Sequence, residues 1–305
     1  MLAFALLMGA THMATLPPTT QIVARDFGTA QMGMLLGLVT FRLWARRTLG
    51  PLGTTVTVSP AAQARPPVRH LTVWAVTWVD FVMFLWYIVL CAFIFQTGAV
   101  YLLKKAGPLD QQALVLAGLA FQLGALAGCA AFRYLRPPRP TFDYFDPAPE
   151  AAQRLPFAAG LVTFLIVLPL LGGIAFIWQS LLRITGQEVT PQSLVGVFAD
   201  SPSPGFSALL VFFAVVVAPV TEELVFRRGL FRFARQHLPR WAALLVPSLL
   251  FAALHQNLAS FAPLVVLGVV FSLAYERTGR IGTVMVAHAC FNLNTVGVIL
   301  AGFNP

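Results

Sequence analysis

Charge is scarce in this sequence. Only 10% of its 305 residues are Asp, Glu, Lys or Arg, and 58% are hydrophobic; an ordinary soluble domain carries about 25% charged residues. So little charge cannot cover the surface of a soluble globule. The abundance of large apolar residues equally excludes a disordered chain. Cysteine is scarce too. Cys91, Cys129 and Cys290 lie inside apolar runs and form no CxxC pair, which excludes a disulfide scaffold and a thiolate zinc site and leaves three packing residues. Internal repeats and low-complexity tracts are absent. The opening stretch MLAFALLMGATHMATLPP lacks a basic n-region, so a cleavable secretory signal is not expected.

What the chain has in excess is long apolar runs, and these require lipid. They predict an all-α polytopic membrane protein, a bundle of about eight transmembrane helices, because a bilayer leaves no partner for open sheet edges. The spans are expected at about 31–44 (short for a crossing), 71–98, 113–135, 157–182, from 206 onward, 241–255, 260–276 and 281–301. The net charge of +9 comes from 20 Lys and Arg that gather at the ends of these runs rather than on one face, so nucleic acid is not an expected partner. Segments 45–70, 133–156, 227–240 and 277–280 hold 4, 4, 5 and 2 arginines, 15 of the 20 basic residues. The positive-inside rule places these four segments in the cytoplasm. Residues 46–70 and 136–156 read as solvated loops, and 184–205, with Val189, Leu194, Val197 and Phe198 between polar positions, as an interfacial helix. The expected organisation is N-terminal helices and loops over 1–156, a connecting span and outer loop over 157–205, and a C-terminal core over 206–302.

Ionisable groups at membrane depth are costly and are functional suspects for that reason. The C-terminal third carries Glu222, Glu223, Arg227, His255 and His288, with Asn292 one turn after His288. Asp80 is the other acid expected well inside a span, as a buried polar contact. On a helix Glu223 and Arg227 stack four residues apart in the favourable order. Glu222 is rotated by about 100° from Glu223, so one glutamate pairs with Arg227 and the other is left for another task. A run from Phe206 to about Gln236 can form one long helix that stops at the His237-Leu238-Pro239-Arg240 turn. Residues 222 and 255 are equidistant from that turn, and an antiparallel hairpin would hold Glu222 and His255 level. His288 lies about 13 Å from the turn near Thr278–Arg280 and shares a face with Asn292.

A glutamate and an imidazole can hold and deprotonate a water, and a histidine with an asparagine can donate hydrogen bonds to an oxyanion. Those roles amount to hydrolysis of an amide with water as nucleophile. Glu222, His255 and His288 also make a candidate ligand set for a divalent metal such as zinc. The residues by themselves leave open whether the cofactor is a metal or none.

Three segments carry a resemblance. EELVFR at 222–227 has the form Glu-Glu-x-x-x-Arg, FAALH at 251–255 the form Phe-x-x-x-His, and HACFN at 288–292 the form His-x-x-x-Asn. In this order, on separate expected spans, they resemble the CPBP (Abi) family, which includes type II CAAX prenyl endopeptidases and bacteriocin-processing and self-immunity proteins. The resemblance covers about 206–302. It implies an intramembrane endopeptidase of metallo or glutamate type, acting on a peptide or protein substrate in the membrane, CAAX-like or leader, in a bacterial cytoplasmic membrane. Glu222 would be the base, His255 would position the water, and His288 and Asn292 would stabilise the oxyanion. Glu223, held by Arg227, would keep the helix in register. Other intramembrane proteases do not fit, since HExxH, Gly-x-Ser-Gly and Gly-x-Gly-Asp are all missing. The alternative from another class is a non-catalytic immunity or scaffold protein binding a membrane partner. A proton-coupled transporter would show inverted repeats, and none is seen.

Overall fold

A computed structural model describes residues 76–135, 156–187 and 203–301. Among the described residues every regular element is a helix. Six helices are long and apolar enough to cross a membrane, and the chain is a multi-pass integral membrane protein. The expected short span at 31–44 and the interfacial helix at 184–205 lie wholly or mainly outside the described residues.

Two compact units divide the chain. One contains the hairpin of α1 (Trp78–Ala106) and α2 (Gln111–Leu135). Its crossing is built on small residues. A Cβ at Gly124 would run into the Cys91 carbonyl, and one at Gly128 would stand 2.5 Å from Ile88 Cα. This Gly-x-x-x-Gly pair lets the backbones approach where lipid supplies no hydrophobic drive between helices. The span expected at 71–98 begins instead at Trp78 and runs to Ala106. Thr77 is the reason: its hydroxyl accepts from the Asp80 backbone N–H at 3.1 Å, and its own O–H donates to the Asp80 carboxylate at 2.9 Å. Asp80 thus closes a capping box in the first turn rather than sitting deep in a span.

The second unit carries α3 (Pro156–Ile184), α4 (Pro204–His237), α5 (Arg240–Ala253), α6 (Leu258–Thr278) and α7 (Ile281–Leu300). α3 packs on α6 and α7, α5 pairs with α6, and α4 meets α7 and α5. Glycines again set the close crossings. A Cβ on Gly268 of α6 would lie 2.8 Å from Ser248 Cβ on α5, and one on Gly160 of α3 would lie 2.7 Å from both the Thr283 carbonyl and Val286 Cβ of α7. Much of α3 is apolar and exposed, including Leu165, Ile166, Phe176 and Ile177, as a lipid-facing helix should be.

The C-terminal unit departs from the expected pattern in three places. The long helix expected from Phe206 to about Gln236 is present as α4, continuous for 34 residues, about 51 Å at 1.5 Å per residue, but it passes through two π-helical stretches, Phe213–Val217 and Leu224–Phe231. The arginines expected in a cytoplasmic loop at 227–240 are partly in this helix: Arg227, Arg228 and Arg232 are buried, and only the end of the segment forms the turn. α5 has 14 residues, about 21 Å, too short to cross. His255 therefore lies beyond its end, in the turn before α6.

Candidate functional site

Two adjacent glutamates define the site. Glu222 and Glu223 end a short α-helical stretch, Ala218–Glu223, held between the two π-helical stretches of α4. A π-turn inserts one extra residue into the helix and recurs where side chains must be re-aimed for function. Both carboxylates are buried, Glu223 completely.

Arg227 donates from Nη1 to Glu223 Oε1 at 2.9 Å, four residues along the same helix. Its guanidinium lies 4.5 Å from the Phe251 ring centre and 5.4 Å from that of Phe271. The rings supply cation–π attraction to a charge that has lost its water. Fully buried ion pairs persist only with such added partners.

His288 comes from α7 and faces both glutamates. Its Nδ1–H donates to Glu223 Oε1 at 2.7 Å, and its Nε2 stands 3.8 Å from Glu222 Oε2. The first contact is a charge-assisted hydrogen bond, whereas the second is beyond hydrogen-bond length. Glu223 thus orients the imidazole, and the opposite ring nitrogen addresses Glu222. Phe251 and Phe271 wall the ring, with centroids 6.0 and 5.4 Å away.

His255 sits in the turn between α5 and α6. Its Nδ1–H donates to the Phe251 carbonyl at 2.6 Å, and its ring packs on Phe251 at 4.6 Å. This bond selects the tautomer with the lone pair on Nε2. Measured along the helices from the α4–α5 turn, Glu222 and His255 are each about 22 Å away. Glu222, His255 and His288 are close enough for their charges to interact. Gln256 adopts φ 49° and Asn257 caps α6 by accepting from the Ser260 N–H at 2.8 Å, so the chain reverses sharply beside His255. Non-helical backbone at such depth is tolerated where it is covered by protein or lines a wet cavity.

Asn292 lies one turn beyond His288 on α7. Its Nδ2 donates to the Ala214 carbonyl in the first π-stretch at 2.7 Å. Among the described residues no three His, Cys, Asp or Glu side chains converge to hold an ion, although the Nδ1–H bonds of His255 and His288 leave Nε2 of each ring available. In this arrangement Glu222, His255 and His288 are not drawn together as a ligand set.

Sequence reasoning missed a second polar cluster. Glu276, near the end of α6, accepts from Arg235 Nε and from Arg240 Nε at 2.9 Å each, and Arg240 Nη2 is also 2.9 Å from it. It clamps the α4–α5 turn to α6. The available signal was an acid at the last turn of an apolar run facing arginines across a hairpin.

Residues 204–294 match the family of type II CAAX prenyl endopeptidase Rce1-like proteins. What is similar to that family is this segment. It makes up about three-tenths of the chain and contains Glu222, Glu223, Arg227, His255, His288 and Asn292. No curated protein and no solved structure matches the chain.

Proposed function

We propose that the protein is an intramembrane endopeptidase that hydrolyses peptide bonds of membrane-associated substrates with a water activated by Glu222, in a bacterial cytoplasmic membrane. The observation that carries the reading is His288 placed between two buried, adjacent carboxylates, bonded to Glu223 and 3.8 Å from Glu222. A membrane protein that needed only cohesion would gain little from so costly a set of charges.

Glu222 takes a proton from a water that His255 Nε2 helps to hold, and the resulting hydroxide attacks the carbonyl carbon of the scissile amide. The carbonyl oxygen becomes an oxyanion. His288, when it carries both protons, donates from Nε2 to that oxyanion, and Glu223 offsets the imidazolium charge through Nδ1–H. Collapse of the tetrahedral centre breaks the C–N bond, and Glu222 returns its proton to the leaving amine. Glu223 Oε1 is engaged by Arg227 and by His288, which leaves Glu222 to meet the water. The exposed turn at Leu254 and Gln256 offers water a way to a buried base.

Glu222→Gln keeps the shape and removes the base. Cells lacking the chromosomal copy receive the wild-type protein or the Glu222→Gln variant, and the termini of membrane and secreted proteins are compared by mass spectrometry. Termini that depend on the wild-type carboxylate support the peptidase and name its substrates; identical termini reject it.

A further inference from the structure

We infer that Asn292 is a positioning residue which, with Pro219, fixes the helical register that presents Glu222 and Glu223 to His288. The inference deepens the proposed peptidase, and it rests on that reading for what the two glutamates do.

One backbone hydrogen is missing from α4. In its first π-stretch the Ala218 N–H reaches back five residues to the Phe213 carbonyl. An α-helix would have sent that N–H to the Ala214 carbonyl instead. The π-pattern would offer Ala214 the N–H of residue 219, but residue 219 is proline and has none. Ala214 is thus denied both its α and its π donor by the same two residues. Asn292 supplies the replacement across the helix pair, from Nδ2 to the Ala214 carbonyl at 2.7 Å. Bare carbonyls are not tolerated at membrane depth, and a neighbouring helix commonly re-satisfies those that proline frees.

The geometry connects this bond to the site. Asn292 is one turn from His288 on α7, so the side chain that satisfies Ala214 and the one that meets the glutamates belong to a single face. Glu222 and Glu223 follow Pro219 by three and four residues. One residue of register in a helix is about 100° of rotation, which is enough to swing Glu222 away from His288 Nε2. With the carbonyl held by α7, the π-turn has no reason to relax to α. Asn292 acts through α4 and does not need to touch substrate.

Replacing Pro219 by Ala returns an N–H five residues after Ala214, where the π-pattern would use it. The side-chain donor then becomes redundant, whereas a direct role of Asn292 on an oxyanion would be untouched by that change. The full-length wild type, Asn292→Ala, Pro219→Ala and the double variant are purified in detergent micelles. Two quantities are read: the folding equilibrium by denaturant titration, and the rate at which new termini appear from a fixed library of hydrophobic peptides, with Glu222→Gln as the blank. Asn292→Ala is expected to cost about tenfold or more in both quantities when Pro219 is present, and less than about threefold in the Pro219→Ala background. Equal losses in the two backgrounds overturn the inference. Stability that recovers without the rate also overturns it and returns Asn292 to the substrate. Should Pro219→Ala by itself stop the reaction, the titrations decide: additive losses overturn the pin, and non-additive losses support it. If the wild type cleaves no faster than Glu222→Gln, the peptidase reading fails, while the titrations still decide whether Asn292 and Pro219 act as one unit.

Discussion

Arg227→Ala should be among the most destabilising single substitutions in this protein. Its side chain is 2% exposed, donates to the fully buried Glu223 at 2.9 Å and stands against the rings of Phe251 and Phe271. Removing one partner of a buried ion pair leaves the other charge unpaired, at about 3–5 kcal/mol. Two cation–π contacts at about 0.5–2 kcal/mol each overlap with that figure rather than adding in full. A loss of at least about 3 kcal/mol, more than a hundredfold in the folding equilibrium, is expected. Pairing Glu223→Gln with Arg227→Met separates the charge from the volume. A glutamine at position 223 can still accept from His288 Nδ1–H, and a methionine at 227 fills much of the space between the two rings. Since neutral, well-packed replacements of buried ion pairs are often close to neutral, this double variant should lie within about 1–2 kcal/mol of wild type, well above Arg227→Ala. The assay is reversible unfolding of the full chain in mixed detergent micelles, titrated with denaturant. If Arg227→Ala cost under about 1 kcal/mol, or the double variant were no better than the single one, the pair would not be a buried anchor.

Two further substitutions test what surrounds the site. Gly160→Ala would put a methyl 2.7 Å from the Thr283 carbonyl and Val286 Cβ, so α3 and α7 must part; a cost of about 1–3 kcal/mol is expected, together with slower proteolysis because α7 carries His288, and unchanged values in both titration and cleavage would refute the close crossing. Glu276→Gln should weaken the clamp on the α4–α5 turn by about 2 kcal/mol, since it removes the charge from bonds to Arg235 and Arg240, and the difference from wild type should shrink as salt is raised, because the Arg240 side chain is 58% exposed; a salt-independent difference would point to packing instead.

Much of the site was legible because the bilayer makes polar residues conspicuous. Glu222, Glu223, Arg227 and His288 stood out as costly groups in apolar runs, and the spacing of Glu223 and Arg227 is the spacing of a helical ion pair. The expected ends of α2, α3, α6 and α7 lay within a few residues of those observed, since apolar length fixes a span and Gly279, at φ 67°, ends α6 where a left-handed cap is needed. The start of α1 was misplaced for a local reason. Hydropathy counts Leu71 to Trp74 as membrane, but the Thr77–Asp80 capping box begins the helix later.

What periodicity could not reveal is the register of α4. A helical wheel assumes 3.6 residues per turn throughout, and it puts His288 and Asn292 on one face with one task. The two π-stretches break that assumption in α4, before and after the glutamates; α7 keeps His288 and Asn292 on one face, but Asn292 meets a main-chain carbonyl of α4. The cue was present as Pro219, placed inside an otherwise unbroken apolar helix three residues before Glu222. A proline at that place removes a donor, and the freed carbonyl must find another. The proline, the asparagine and the paired glutamates thus form a connected set: the missing N–H opens the turn, α7 closes it from the side, and the same face of α7 brings His288 to the carboxylates.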